Sequence, residues 1–341
     1  MSHPSDAIVG ALRGASRVLV TTHVKPDGDA LGSAAVVVLA LRRLGKHAEV
    51  LLLSRLPTKY AFVLDDVGIA YLVMDAGRGE VLDEGWAGGF DVMLVIDTGT
   101  RSQLPGLENW VEREGVRVVV VDHHKTQEAW GEARWVDTSA AAAGEMALDL
   151  AERMGVRMDV EMARAGFVAI ASDTGWLQFS NTTSATLRRV ADLMEQGLDL
   201  DAMNRLLNQN ERSARLRVQR IAMQNLRIVG GGRVALMSVS REEFAEADAQ
   251  VTDTENMVNL PLIAREVEVS ALLTEPPEGG PVRVSLRSKA VRADGGAGLD
   301  CAGFAERFGG GGHARAAGLR FDLSIADAVL RLEEELSKAL G

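Results

Sequence analysis

RVLVTTHVKPDGDALGSAAVVVLALRRLG, residues 17–45, reads as one strand, one turn and one helix. Arg17 to His23 is a β-branched run of strand length. Asp29 to Leu44 carries a helical pattern, and Gly45 follows where a helix end favours a left-handed residue. Between them Pro26 restricts the backbone and Gly28 permits a tight turn, so Asp27 and Asp29 can address two different ions. The same alternation recurs downstream. Ala48 to Leu53, Asp91 to Asp97 (DVMLVID) and Val116 to Asp122 (VRVVVVD) are the further strands. Ala142 to Met154, Val160 to Ala171 and Thr182 to Gln196 are helical, with Thr182 or Thr183 as N-cap and Gly155 and Gly197 at helix ends. Short Val-rich strands alternating with helices predict an α/β fold whose sheet is mainly parallel and flanked by helices.

Beyond residue 198 the pattern changes. Leu200 to Gln224 is a long polar helical stretch and is expected to connect two domains. Arg233 to Ser240, Val267 to Thr274 and Val282 to Arg287 then read as antiparallel strands, with a turn at PPEGG, residues 276–280. The expected organisation is a catalytic domain at 1–198, a helical linker at 199–227 and a smaller α/β domain at 228–341. A chain of 341 residues is long for one hydrophobic core, which agrees with two units.

Composition narrows the function. The net charge of −11 disfavours counterion-driven binding to long duplex DNA, although a small anion needs only a local basic cluster. Cys301 is the only cysteine, which excludes an internal disulfide and a CxxC zinc site and predicts a reducing, cytoplasmic setting. The N-terminal MSHPSDAIVGALRG lacks a basic segment followed by an apolar one, and the longest apolar run, Ala34 to Leu41, is too short to span a bilayer. No membrane partner is expected, and nothing in the sequence excludes a homodimer.

Chemistry-bearing residues gather at the strand ends. His23, Asp97 and Asp122 each close a predicted strand, and in an open parallel sheet those ends border the ligand crevice. Asp27, Asp29, His123 and His124 lie beside them in sequence, and Asp173 follows the apolar stretch GFVAIAS. A single strand-end Asp is more often a cap or turn former, but the conjunction of HxxxDxD, Asp97, DHH and SDTG outweighs that reading. Carboxylates with imidazoles favour hard or borderline divalent ions, Mn²⁺ first and Mg²⁺ second. In the second domain GGGGH, residues 309–313, exposes backbone N–H groups suited to an anion. Arg283 and Arg287 share a strand face, and His313 and Arg315 can add charge-assisted bonds.

These four N-terminal motifs, in this order, resemble those of the DHH phosphoesterases. GGGGHARAAG (Gly309 to Gly318) and VRVSLRS (Val282 to Ser288) resemble the DHHA1 domain that accompanies them, and the paired domains are most similar to NrnA-type nano-RNases. The resemblance implies two divalent ions, one held by His23, Asp27 and Asp97 and the other by Asp29, Asp97, His123 and Asp173. His124 would contact the scissile phosphate and Asp122 would orient a neighbouring imidazole. Substrate contacts would come from Arg283, Ser285, Arg287, Ser288, Gly310, Gly311, Gly312, His313 and Arg315. The implied activity is hydrolysis of short single-stranded RNA to 5′-mononucleotides and of 3′-phosphoadenosine 5′-phosphate (pAp) to AMP. One departure is visible: TDTENMVN has Asn256 where the family pattern has Gly. Cyclic dinucleotides, pApA and polyphosphate are competing substrates on the same scaffold, and a non-catalytic nucleotide-binding regulator is the alternative from another class.

Overall fold

The Val-rich runs expected as strands form the centre of a six-stranded sheet. The computed structural model describes residues 3–75, 89–107, 116–292 and 295–340. β1 (Arg17–Thr21), β2 (His47–Leu52), β3 (Tyr71–Val73), β4 (Val92–Ile96), β5 (Arg117–Asp122) and β6 (Ala133–Val136) pair in the order β3-β2-β1-β4-β5-β6. Every pair is parallel. Helices α1 (Asp6–Gly14), α2 (Gly28–Arg43), α3 (Ala143–Arg153) and α4 (Val160–Asp173) contribute to the large core on one face. Leu104, Leu107 and Trp130 help close the other. All of β4 is buried, which explains a continuous apolar run where a half-exposed strand would alternate. From Gly28 to Leu41 every residue of α2 is buried, so this helix runs through the protein interior.

The chain divides into two units, Met1–Asn210 and Glu211–Gly341. The stretch read above as a helical linker carries two helices separated by a break at 209–212. α6 (Leu200–Asn208) buries Met203 and Leu207 in the first core, after α5 (Ser184–Glu195), whose N-cap is Thr183 in a reciprocal capping box. α7 (Ser213–Gln224) instead buries Ala214, Val218 and Ile221 against Met237, Val239 and Leu272 of the second unit.

In that second unit β7 (Arg227–Val229), β8 (Val234–Val239), β9 (Val269–Thr274), β10 (Val282–Ser288), β11 (Gly311–His313) and β12 (Ala316–Phe321) pair in the order β11-β12-β10-β9-β8-β7. β8 and β9 are parallel, which corrects the expectation of antiparallel strands there. The physical reason is the long connection, residues 240–268, which includes α8 (Arg241–Glu246) and brings the chain back to start β9 in the same direction. β9 and β10 are antiparallel and joined by the expected turn. α9 (Cys301–Glu306) and α10 (Ile325–Leu340) cover one sheet face, and α7 covers the β8–β9 part of the other. Among the described residues no helix is long and apolar enough to cross a membrane.

Candidate metal centre

The strand order reverses between β1 and β4, and such a reversal opens a crevice at the carboxyl ends of the strands. His23 lies two residues past β1, Asp97 directly follows β4, and Asp122 ends β5 with His123 and His124 after it. Asp27 is the N-cap of α2, its side chain accepting from the Asp29 and Ala30 amides, and Asp173 is the last residue of α4. Asp97 has φ 65°, a left-handed conformation that a residue with a Cβ rarely adopts.

The eight side chains predicted from sequence converge. His123 Nε2 lies 3.4 Å from an oxygen of each of Asp29, Asp97 and Asp173. His23 Nε2 lies 3.5 Å from the other oxygen of Asp97. Three sets of donor atoms have the mutual spacing an ion needs: His23, Asp27 and Asp97; Asp29, His123 and Asp173; Asp97, His123 and His124. Two ring orientations are fixed by backbone carbonyls. His23 Nδ1 bonds Val24 O at 3.0 Å and His123 Nδ1 bonds Ala140 O at 3.3 Å, which turns both Nε2 atoms toward the carboxylates. Anchoring one imidazole nitrogen so that the other can ligate is the usual outer support of a metal site.

Residues and cation fit by a direct criterion. His123 Nε2 and Asp97 Oδ1 are buried and make no hydrogen bond. Buried polar atoms without partners are costly, and a divalent cation between them would satisfy both. Asp29 is fully buried and has a second task. Its carboxylate accepts from Ala143 N at 2.7 Å, Gly144 N at 2.9 Å and Ser33 Oγ at 3.0 Å. It thereby caps α3, whose own N-cap Ala142 offers no side-chain bond.

Without cations the carboxylates repel one another and protons take up the charge. Burial, then the charges of Asp97 and Asp173, hold Asp29 well above the ordinary carboxylate range. Burial, then Asp97 and Asp27, raises Asp173 to about 6. Burial alone would lower His123 and His23, but the neighbouring carboxylates, Asp97 foremost, outweigh it and push them up to about 10 and about 9. Ligation removes these protons. Metal affinity should therefore rise with pH from about 6 to about 10, with proton release that depends on buffer ionisation enthalpy in calorimetry. Heat that is the same in every buffer would contradict this. A raised folded-state pKa also means that the metal-free domain loses stability as pH climbs from 3.8 through about 6.

His124 is held differently. Its Nδ1 lies 2.8 Å from Asp122 Oδ1, a fully buried carboxylate that also accepts the His124 amide at 3.2 Å. That bond raises the His124 pKa above the ordinary value. Two supporting residues are not apparent from the motifs. Asn181 Nδ2 donates to the backbone oxygens of Asp173 and Ala141, bracing the end of α4. Gln127 Nε2 donates to Asp122 Oδ2. Both follow a motif within a few residues, and an amide at that distance is the signal that could have found them.

The expected substrate contacts of the second unit separate into two groups. Arg283, Ser285 and Arg287 alternate with buried Val282, Val284, Leu286 and Ser288 and share the other sheet face. Register places Arg287 beside Ala316 and His313, and Ser285 beside Gly318 and Gly311. Arg287 has no carboxylate partner among the described residues, whereas Arg283 pairs with Glu278 at 2.9 Å. Ser288 is buried and donates to Leu299 O at 2.7 Å, and Arg315 donates to the same oxygen at 3.0 Å, so both brace the loop after β10. Gly310 and Gly312 are needed for close packing, since a Cβ would lie 2.3 Å from Gly318 O and 2.5 Å from Ala316 O respectively. Asn256 has φ 61°, the left-handed conformation that favours Gly and tolerates Asn best among other residues, which accounts for the departure from the family pattern.

Residues 17–171 match the family model described as DHH family, N-terminal domain. The chain is 29% identical over 327 residues to the Thermus thermophilus protein named bifunctional oligoribonuclease and PAP phosphatase NrnA, covering 94% of this chain and 91% of that one. It is 23% identical over 327 residues to the Bacillus subtilis protein of the same name, with 94% and 95% covered. The crystal structure of an exopolyphosphatase-related protein from Bacteroides fragilis has the same fold, with a TM-score of 0.88 at 24% identity over 98% of this chain and 96% of that one. Residues 17–171 carry a DHH-family N-terminal domain, and along nearly its whole length the chain is similar to metal-dependent phosphoesterases that share that domain.

Proposed function

We propose that this chain removes 5′-mononucleotides from very short single-stranded RNA and converts pAp to AMP, using two divalent cations, Mn²⁺ first and Mg²⁺ second. The observation that carries the reading is the sharing of Asp97 between the set with His23 and Asp27 and the set with His123 and His124, because one carboxylate common to both can bridge two ions, and His123 in turn belongs to the set with Asp29 and Asp173. The similar proteins named oligoribonuclease and PAP phosphatase support the choice of substrates.

We assign His23, Asp27 and Asp97 to one ion and Asp29, Asp97, His123 and Asp173 to the other. When bound, such a pair lowers the pKa of water and offsets charge on the attacking and leaving oxygens. The protein supplies the rest. His124, whose pKa the Asp122 hydrogen bond raises, would in its protonated form give its Nε2 proton to the oxygen that departs from phosphorus. In the second unit Arg287 and His313, beside Ser285 and Gly311, form a face that can bind a phosphate, with Ser288, Arg315, Gly310 and Gly312 supporting that face and Arg283 at its rim. The few Tyr and Phe residues and the net charge of −11 suit a short substrate better than a long nucleic acid. A single free cysteine, Cys301, is in keeping with action in a reducing cytoplasm.

The test is product release with Mn²⁺ from pAp, an RNA dinucleotide, longer RNA oligomers, pApA and cyclic dinucleotides. AMP from pAp and mononucleotides from the shortest RNA are expected, and tight binding with no product from any of them would overturn the reading. For Arg287→Ala we expect KM to rise by about 10- to 100-fold, the value of one charge-assisted hydrogen bond, with kcat largely kept. Arg283→Ala, already paired to Glu278, should change KM far less.

A further inference from the structure

We propose that Gln127 is a positioning residue for His124, acting through Asp122 and locked in place by Gly99 and Arg134. The proposal rests on the reading that His124 meets the phosphate. Asp122 gives one oxygen to His124 Nδ1 and N, and its other oxygen accepts from Gln127 Nε2. The same Gln127 Nε2 donates to His124 O at 2.9 Å, so one amide group grips both the carboxylate and the backbone of the histidine that this carboxylate orients. A carboxylate held on one oxygen alone can rotate, and one held on both cannot.

The amide itself has no freedom. Gln127 Oε1 accepts from Arg134 of β6, which fixes which end of the amide is nitrogen. Gly99 provides the space: a Cβ there would lie 2.0 Å from Gln127 Oε1 and 2.5 Å from Nε2. Gly99 is two residues after Asp97, and its oxygen accepts from Glu128 N at 3.0 Å and Trp130 Nε1 at 2.9 Å. The turn after β4 and the segment after β5 are thus stitched together around this one amide, and the stitch spans the two segments that carry Asp97 and His124. A glutamine present only to satisfy a buried carboxylate would need neither the second bond to His124 O nor the glycine beside it.

The test uses Gln127→Ala, Gln127→Met, which keeps the volume and removes the donor, and Gly99→Ala, which displaces the amide with Gln127 intact. Each should lower kcat on pAp by about 10- to 100-fold, the range for removing an outer-shell partner, with KM and Mn²⁺ affinity unchanged. In the metal-free protein, ¹⁵N-labelled histidine should show the His124 Nδ1 proton bonded in the wild type and exchange-broadened in all three variants. Wild-type kcat in Gln127→Met, or an unaltered His124 signal in the variants, would overturn the proposal. If the His124 signal changes as expected but the wild type cleaves no phosphate ester, the positioning role is supported and the phosphoesterase reading is the part that fails.

Discussion

Asp97→Asn loses turnover of every substrate, by roughly 10³-fold or more, exceeding the loss of a single oxyanion donor because both proposed ions lose a ligand at once. Asparagine is the informative substitution. Position 97 has φ 65°, where alanine would add backbone strain of about 1–2 kcal/mol and asparagine adds little. The amide also keeps the volume between His23 and His123, so the fold is retained. A second readout separates lost chemistry from lost cations. Ligands that bind only the folded state raise stability by mass action, about 2.7 kcal/mol at a hundredfold excess over Kd. The wild type should therefore show a higher Tm with Mn²⁺ and Asp97→Asn should not. Retained turnover, or an unchanged Mn²⁺ response, would show that Asp97 bridges nothing.

His124→Ala is the second large effect, a kcat loss of about 10²- to 10⁴-fold, the usual value of a positioned proton donor. Here the Mn²⁺ response should survive. His124 is bonded through Nδ1 to Asp122, whereas His23 and His123 are anchored through Nδ1 to backbone carbonyls and point Nε2 at the carboxylates. The geometric set of Asp97, His123 and His124 leaves a competing role as ligand, and this variant decides between the two. If removal of His124 abolishes the Tm gain along with turnover, it holds a cation and is not the group that faces the phosphate.

Much of this arrangement is legible in the sequence, for a physical reason. Apart from the exposed Arg that opens β1 and β5, these strands and β4 are buried on both faces, so their codes are nearly continuous apolar runs, and His23, Asp97 and His123 follow within two residues of the strand ends. The edge strands are less legible. β3 is three residues long and partly exposed, and β6 has only Trp135 buried, so neither carries a periodic signal. The parallel pairing of β8 with β9 depends on the path of a long connection, which no local pattern encodes. Side-chain roles across long separations are also hidden. Asp29 caps a helix 114 residues away, and nothing near either end announces it. The bonds of Ser288 and Arg315 to Leu299 O, which brace the loop after β10, are likewise invisible in the motif.

The complete burial of α2 has a consequence for how the first unit responds to heat and to stripping of its ions. Asp27 caps, and Asp29 opens, a helix in which every residue from Gly28 to Leu41 is buried. Such a helix offers few exposed residues from which to fray, so the turn that carries these two aspartates is tied to the core behind it. Loss of cations should loosen the interior as a whole, and the catalytic groups and the scaffold should come apart in one cooperative event.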